Sequence, residues 1–301
     1  MTTSYKKKSF VSPDLKLANE LINLLEKGVN PWSRPWDKEK NFIGFLNPVT
    51  GNFYSGLNVA ILEMYSMSRN YEYDLFLGAG QGKKEGLKIK KGSKCVYIVR
   101  PQLNSRKENE GKKDEKIYSW TSYKHNAIFN IAEFEDCEKK SELIKKNIGE
   151  KIERKEPEKI EEIEKLIKSY HKREKIETEF IGERCFYSSK SDKITMAERK
   201  KFKSSIGLYS TWLHEIVHST GNEKRLNRKL GNSFGSKDYA LEELVAETGS
   251  FLLTRRLGIG NDIENHKNYL GSWIECLRED PKILIKILGK ASKAANYIME
   301  E

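Results

Sequence analysis

No stretch of this 301-residue chain is apolar for long enough to cross a bilayer, and its first ten residues are polar and basic without the hydrophobic centre of an export signal. These absences predict a cytoplasmic protein with no membrane partner. Cysteine is scarce. Cys95, Cys137, Cys185 and Cys276 lie far apart with no paired spacing, which supports neither a disulfide framework nor a thiolate zinc site, so reduced, buried thiols are expected. No internal repeat is evident. Histidine is also rare, five residues in all, so two within one short motif carry weight.

Charge is what the chain has in abundance. Lys and Arg number 55 against 44 Asp and Glu, a net charge of +11, which favours polyanionic partners over basic ones. The length predicts two domains, each able to bury its own core.

Ser12-Pro13-Asp14, followed by Leu15, Ala18, Leu21, Ile22 and Leu25 and then Gly28, predicts a helix capped at both ends. Asn30 to Trp36 is too rich in proline for regular structure, and Asn47-Pro48-Val49-Thr50-Gly51 is a turn cluster. Val59 to Ser68 has helical spacing. Strands are predicted at 95–99, 117–123 and 127–134, with the charged, apolar-poor stretch 102–116 read as a mobile hairpin loop. From 138 to 179 a Lys/Glu/Ile composition with helical periodicity predicts a charged helical linker or surface helices. Beyond it come a short strand at 184–187, a turn at 188–192, and helices near 206–220, 238–257, 262–279 and 281–299.

The densest chemistry lies in His214-Glu215-Ile216-Val217-His218. On a helix the two imidazoles fall on one face, one turn apart, where a single Zn²⁺ can bridge them, and the intervening glutamate is placed to act as general base. Gly221 is expected to end this helix in a left-handed cap. A catalytic site needs a third protein ligand, and the acidic helix around Glu242, Glu243 and Glu247 offers it. Glu243 and Glu247 share a face, while Glu242 points to the side. Glu243 is taken as the ligand and Glu247 as the residue that receives a ligating histidine's other ring N–H, with interchange of the two left open. Ala240, Ala246, Gly249 and Ser250 are small enough to let the two helices approach closely. Zinc, or another divalent transition metal, is the expected cofactor, Glu215 the expected catalytic residue, amide hydrolysis the implied reaction, and Tyr239 or Tyr209 a candidate oxyanion donor.

In the first half, Trp32, Arg34 and Trp36, Tyr54 and Asn58, and the lysines Lys90, Lys91 and Lys94 combine aromatic rings with cations. That mixture suits stacking on unpaired bases and neutralising phosphates, so single-stranded DNA is the expected partner.

These segments together resemble one family. Asn30-Pro31-Trp32 with Arg34-Pro35-Trp36, Thr50-Gly51 with Tyr54, Gly56-Leu57-Asn58, Lys91-Gly92-Ser93-Lys94 and Ile128-Phe129-Asn130-Ile131 look like the N-terminal domain of ArdC-type antirestriction proteins. The second half continues the likeness with His214 to Gly221, Arg225-Leu226-Asn227-Arg228, Tyr239 to Gly249, and Asn265-His266 with Ser272-Trp273. The resemblance implies an α+β protein with a mixed α/β single-stranded-DNA-binding domain at 1–137, the charged linker at 138–179, and a mainly helical zincin-like metallopeptidase domain at 180–301. It further implies carriage by a mobile element and protection of incoming DNA from restriction; cleavage of a DNA-bound protein is the leading hypothesis for the second domain. A non-enzymatic shield for single strands and a protease of DNA–protein crosslinks are the alternative functions.

Overall fold

The computed structural model describes residues 12–26, 44–69, 71–108, 116–147, 156–230, 236–259 and 270–300. Contacts divide the chain into two compact units. One holds α1 (Pro13–Glu26), α2 (Leu57–Arg69) from Val59 onward, α5 (Glu156–Glu174), β4 (Glu177–Phe180), β5 (Phe186–Ser188), β6 (Lys193–Met196), α6 (Ser205–Ser219), α7 (Lys237–Arg256), α8 (Leu270–Glu279) and α9 (Lys282–Met299). The other holds 45–58, β1 (Phe76–Gly78), α3 (Ala79–Lys84), β2 (Val96–Glu108), β3 (Lys116–Asn130) and α4 (Glu138–Asn147). No helix among the described residues is long and apolar enough to cross a membrane.

In the smaller unit β1, β3 and β2 form an antiparallel sheet in that order. Leu46, Leu75, Leu77, Leu87, Ile131, Phe134 and Leu143 pack as its core. The recurring motif residues are accounted for by local structure. Asn47 receives the Val49 and Thr50 amides on its side-chain oxygen, and Gly51 follows at φ +72°, a left-handed conformation that a Cβ disfavours. Asn130 is fully buried; its amide donates to Tyr73 O at 2.7 Å and its oxygen receives Ala132 N at 2.9 Å.

The long β2–β3 hairpin differs from the expected mobile loop. Its strands pair without a break from Val96↔Ile128 to Glu108↔Lys116, so 102–108 and 116 are regular ribbon, while 109–115 lie outside the described residues; the two strands expected at 117–123 and 127–134 are one strand that ends at Asn130. The residues 138–179 likewise do not form one linker. α4 lies in the smaller unit with Leu143 in its core, α5 lies in the larger one with Ile163, Ile167 and Tyr170 buried, and Glu177–Phe180 is a strand.

The larger unit is helical around a small sheet of order β4-β6-β5, with β4 parallel and β5 antiparallel to β6. α1 forms with its expected N-terminal cap, with Leu17, Ala18, Leu21, Ile22 and Leu25 buried and Leu15 N donating to Ser12 Oγ at 3.3 Å, while the expected end at Gly28 lies outside the described residues. The fully buried Trp273 of α8 donates its indole N–H to Ala240 O of α7 at 2.7 Å. Arg255 of α7 meets Glu63 of α2 at 3.0 Å, both buried. All four cysteines are free; only Cys276 is buried and Cys137 is exposed, contrary to the expectation of uniformly buried thiols.

Candidate metal centre

Two capped helices carry the centre. Ser204 Oγ receives Gly207 N at 3.0 Å at the start of α6, and Ser236 Oγ receives Tyr239 N at 3.2 Å at the start of α7. They come close because α7 presents small residues: a Cβ on Gly249 would stand 2.8 Å from Val217 Cγ1, and Ser250 Oγ donates to Ser210 O at 2.9 Å. At the end of α6, Gly221 is absent from the left-handed glycines. The expected left-handed cap is therefore replaced by a turn in which Gly221 N donates to His218 O at 2.8 Å. What excludes a side chain there is space, since a Cβ would meet Leu230 at 2.9 Å and Arg228 at 3.1 Å.

His214, His218 and Glu243 bring their ligand atoms together. The two Nε2 atoms are 3.1 Å apart, and Glu243 reaches them with one carboxylate oxygen each, at 3.6 Å from His214 and 3.4 Å from His218. A tetrahedral ion with bonds of about 2.0–2.1 Å keeps its ligand atoms about 3.3–3.4 Å apart, so this spacing matches a first coordination sphere. The donor chemistry fits as well, because two imidazole nitrogens and a carboxylate converging in a buried place call for a cation between them.

Each histidine has a glutamate behind its other nitrogen. His218 Nδ1 lies 3.3 Å from Glu242 Oε1, and His214 Nδ1 lies 3.9 Å from Glu247 Oε2. Placing the ring protons on the Nδ1 side leaves both Nε2 lone pairs facing Glu243. Glu242 is held in turn by Arg228, whose Nη2 and Nε approach its carboxylate at 2.7 and 3.0 Å while Nη1 donates to Thr220 Oγ1 at 2.7 Å. Glu242 thus faces the site from the flank, where the helical wheel had set it aside.

The charges are strongly coupled. Burial opposes an imidazolium at His214, but the Glu247 and Glu243 carboxylates outweigh it and raise the pKa. Burial likewise opposes charge at His218, yet Glu242 and Glu243 hold its pKa well above the ordinary value. Burial would raise Glu243, but its bonds to the two histidines pull it far below the usual carboxylate range. Carboxylates that favour a proton on these rings favour a divalent cation by the same electrostatics.

Glu215 is buried among these groups, and burial raises its pKa above the ordinary carboxylate value. The Tyr187 backbone N–H of the edge strand β5 donates to it. A second network fixes that strand: Tyr187 OH donates to Asp192 Oδ1 at 2.7 Å, and Arg225 clasps the same oxygen through Nη1 and Nη2 at 2.9 and 2.6 Å. The two arginines of Arg225-Leu226-Asn227-Arg228 therefore serve two arms of one centre, with Asn227 turning the chain between them at φ +46°. Sequence reasoning weighed Glu242 only as a ligand and set it aside, and it gave no role to Tyr187 or Asp192. The close pair of arginines just after the histidine helix was the available signal. Tyr209, considered as an oxyanion donor, gives its hydroxyl to Glu164 at 2.6 Å and stacks on Trp212.

The residues expected to touch DNA are distributed differently. Trp32, Arg34 and Trp36 lie outside the described residues. Asn58 uses both amide atoms on the Val99 backbone, at 2.9 and 2.8 Å, so its place in the motif is accounted for by holding β2. Tyr54 is half-buried, donates to Phe76 O at 2.9 Å, and has its pKa pushed up to about 12 by burial. Lys90, Lys91 and Lys94 are exposed, with Lys90 Nζ donating to Ala132 O at 2.9 Å.

Residues 161–291 match the family model of zincin-like metallopeptidases, and residues 14–131 match that of the N-terminal domain of anti-restriction factor ArdC. The metal-free crystal structure of antirestriction protein ArdC from plasmid R388 is similar across 95% of this chain and 96% of its own, at 26% identity and a TM-score of 0.69. The chain joins an ArdC-type N-terminal domain to a zincin-like metallopeptidase domain. The Mn(II)-bound structure of the R388 protein is similar over 96% of this chain and 97% of its own, at 24% identity and a TM-score of 0.67. DNA primase TraC from Escherichia coli is 30% identical over 94% of this chain, which spans only 19% of that protein's length.

Proposed function

We propose that this protein is an antirestriction factor of a mobile element that binds single-stranded DNA through its N-terminal half and hydrolyses a DNA-bound protein at the centre on α6 and α7. The observation that carries this reading is the convergence of His214 Nε2, His218 Nε2 and the Glu243 carboxylate beside the buried Glu215. His214, His218 and Glu243 hold zinc or another divalent transition metal, and the Mn(II)-bound state of the R388 relative supports that class of ion. The chemistry such an ion supplies when bound is polarisation of a carbonyl and activation of a water.

The chain's own residues supply the rest. Glu242 orients the His218 imidazole through Nδ1 and is kept in place by Arg228, while the Glu247 carboxylate, 3.9 Å from His214 Nδ1, supplies negative charge behind the other ring. Glu215, kept inclined to hold a proton by its burial, accepts one at its carboxylate as water attacks and delivers it to the leaving amine. The Tyr187 N–H fixes the orientation of that carboxylate. DNA binding is supported by the ArdC-type N-terminal domain and by the DNA-directed function named for the TraC relative.

Glu215→Gln tests the reading. It is expected to retain metal and fold and to lose both proteolysis of DNA-bound proteins and antirestriction. Full antirestriction by this variant would overturn the enzymatic reading and leave a passive shield.

A further inference from the structure

We infer that one face of the β2–β3 ribbon is a binding surface for single-stranded DNA, a proposal that rests on the DNA-binding reading above and gives it a location. β1 pairs with β3 only at Ile128–Asn130, so from Val99↔His125 outward no third strand joins the ribbon among the described residues. Paired residues share a face and successive pairs alternate between faces. The register therefore assigns to one face the positions of Arg100 with Lys124, Trp120 with Asn104 four pairs on, Arg106 with Tyr118, and Lys116 with Glu108. By residue type, the register positions of that face hold four cations and two aromatics against one carboxylate. The other face of the same stretch has Lys107 as its one lysine or arginine.

This sorting is not what a solvated charged loop requires. From the Arg100 pair to the Glu108 pair the face runs about 27 Å at about 3.4 Å per residue, long enough to follow several nucleotides. Arg100 and Lys124 are exposed, and Tyr118 is 51% exposed. An exposed ring between cations selects single strands over duplex, because only unpaired bases offer a free stacking surface while both forms offer phosphates.

The experiment is fluorescence anisotropy of a labelled 20-nucleotide oligothymidylate with the full chain, across a salt series, together with a duplex of equal length. The unaltered chain is expected to bind the single strand more tightly than the duplex. Arg100→Gln with Lys124→Gln is expected to reduce the slope of log K against log salt by about 1.4, since each phosphate contact on a single strand contributes about 0.7. Tyr118→Ala is expected to weaken binding by roughly 5- to 100-fold, with Tyr118→Trp restoring it. Lys107→Gln, on the opposite face, is expected to bind like the unaltered chain. Unchanged affinity and salt slope in the ribbon variants, while the unaltered chain binds, would overturn the ribbon surface and leave the DNA reading intact. Equal losses from both faces, or a preference for duplex, would also overturn the ribbon proposal. No binding by the unaltered chain at low salt would overturn the DNA reading itself.

Discussion

The α6–α7 pair and the β2–β3 ribbon carry their chemistry in opposite ways. On the helices the important groups are buried or partly buried and each is held by a second one: His218 by Glu242, Glu242 by Arg228, and Glu215 by the Tyr187 amide. On the ribbon the cations share one face of a two-stranded element by register alone. A centre that must fix ligand atoms to within a few tenths of an ångström needs buried, mutually supporting side chains. A surface that tracks a flexible polyanion needs only charge at the right spacing. Substitutions should therefore act cooperatively on the first region and additively on the second.

The largest effect is expected where the helix pair is braced. Trp273→Ala removes a fully buried indole and its bond to Ala240 O, and should cost about 3–5 kcal/mol in denaturant unfolding. A loss within 0.5 kcal/mol would mean that α8 does not support α7. Next, Arg228→Gln should lower divalent-metal affinity by about 10- to 100-fold in calorimetric titration, though Arg228 touches neither histidine ring, because it frees Glu242 from its position behind His218. Unaltered affinity would remove the argument that the centre depends on its outer hydrogen bonds. The smallest effect belongs to the ribbon. Leu103 is 76% exposed, and Leu103→Ser should change stability by no more than about 0.5 kcal/mol. A larger loss would show that the ribbon is packed against something, and the contrast between the regions would weaken.

The same contrast explains what could be read from the sequence. The spacing of His214 and His218, and the shared face of Glu243 and Glu247, are local consequences of helical geometry, and Glu243 does stand opposite both Nε2 atoms. Glu242 was set aside because its place depends on Arg228, which arrives from the turn after α6, and a wheel drawn on one helix contains no such partner. Gly221 was misread because a glycine at a helix end suggests a backbone role, whereas here the crowding comes from Arg228 and Leu230. The ribbon was taken for a loop because a two-stranded element with polar residues on both faces lacks the apolar alternation that marks a strand, and pairing with distant residues is not visible in one segment. Asn58 looked like a recognition residue but is spent on the Val99 backbone, a contact 41 residues away.

The central claim is that His214, His218 and Glu243 form one divalent-metal site with Glu247 outside its first sphere. Metal stoichiometry of the purified chain after dialysis against limiting Zn²⁺ and Mn²⁺, measured alongside Glu243→Ala and Glu247→Ala, tests it most directly. The account predicts one equivalent bound by the unaltered chain, none retained by Glu243→Ala, and a weaker but still single site in Glu247→Ala. Retention by Glu243→Ala together with loss in Glu247→Ala, or no metal in the unaltered chain, would contradict it.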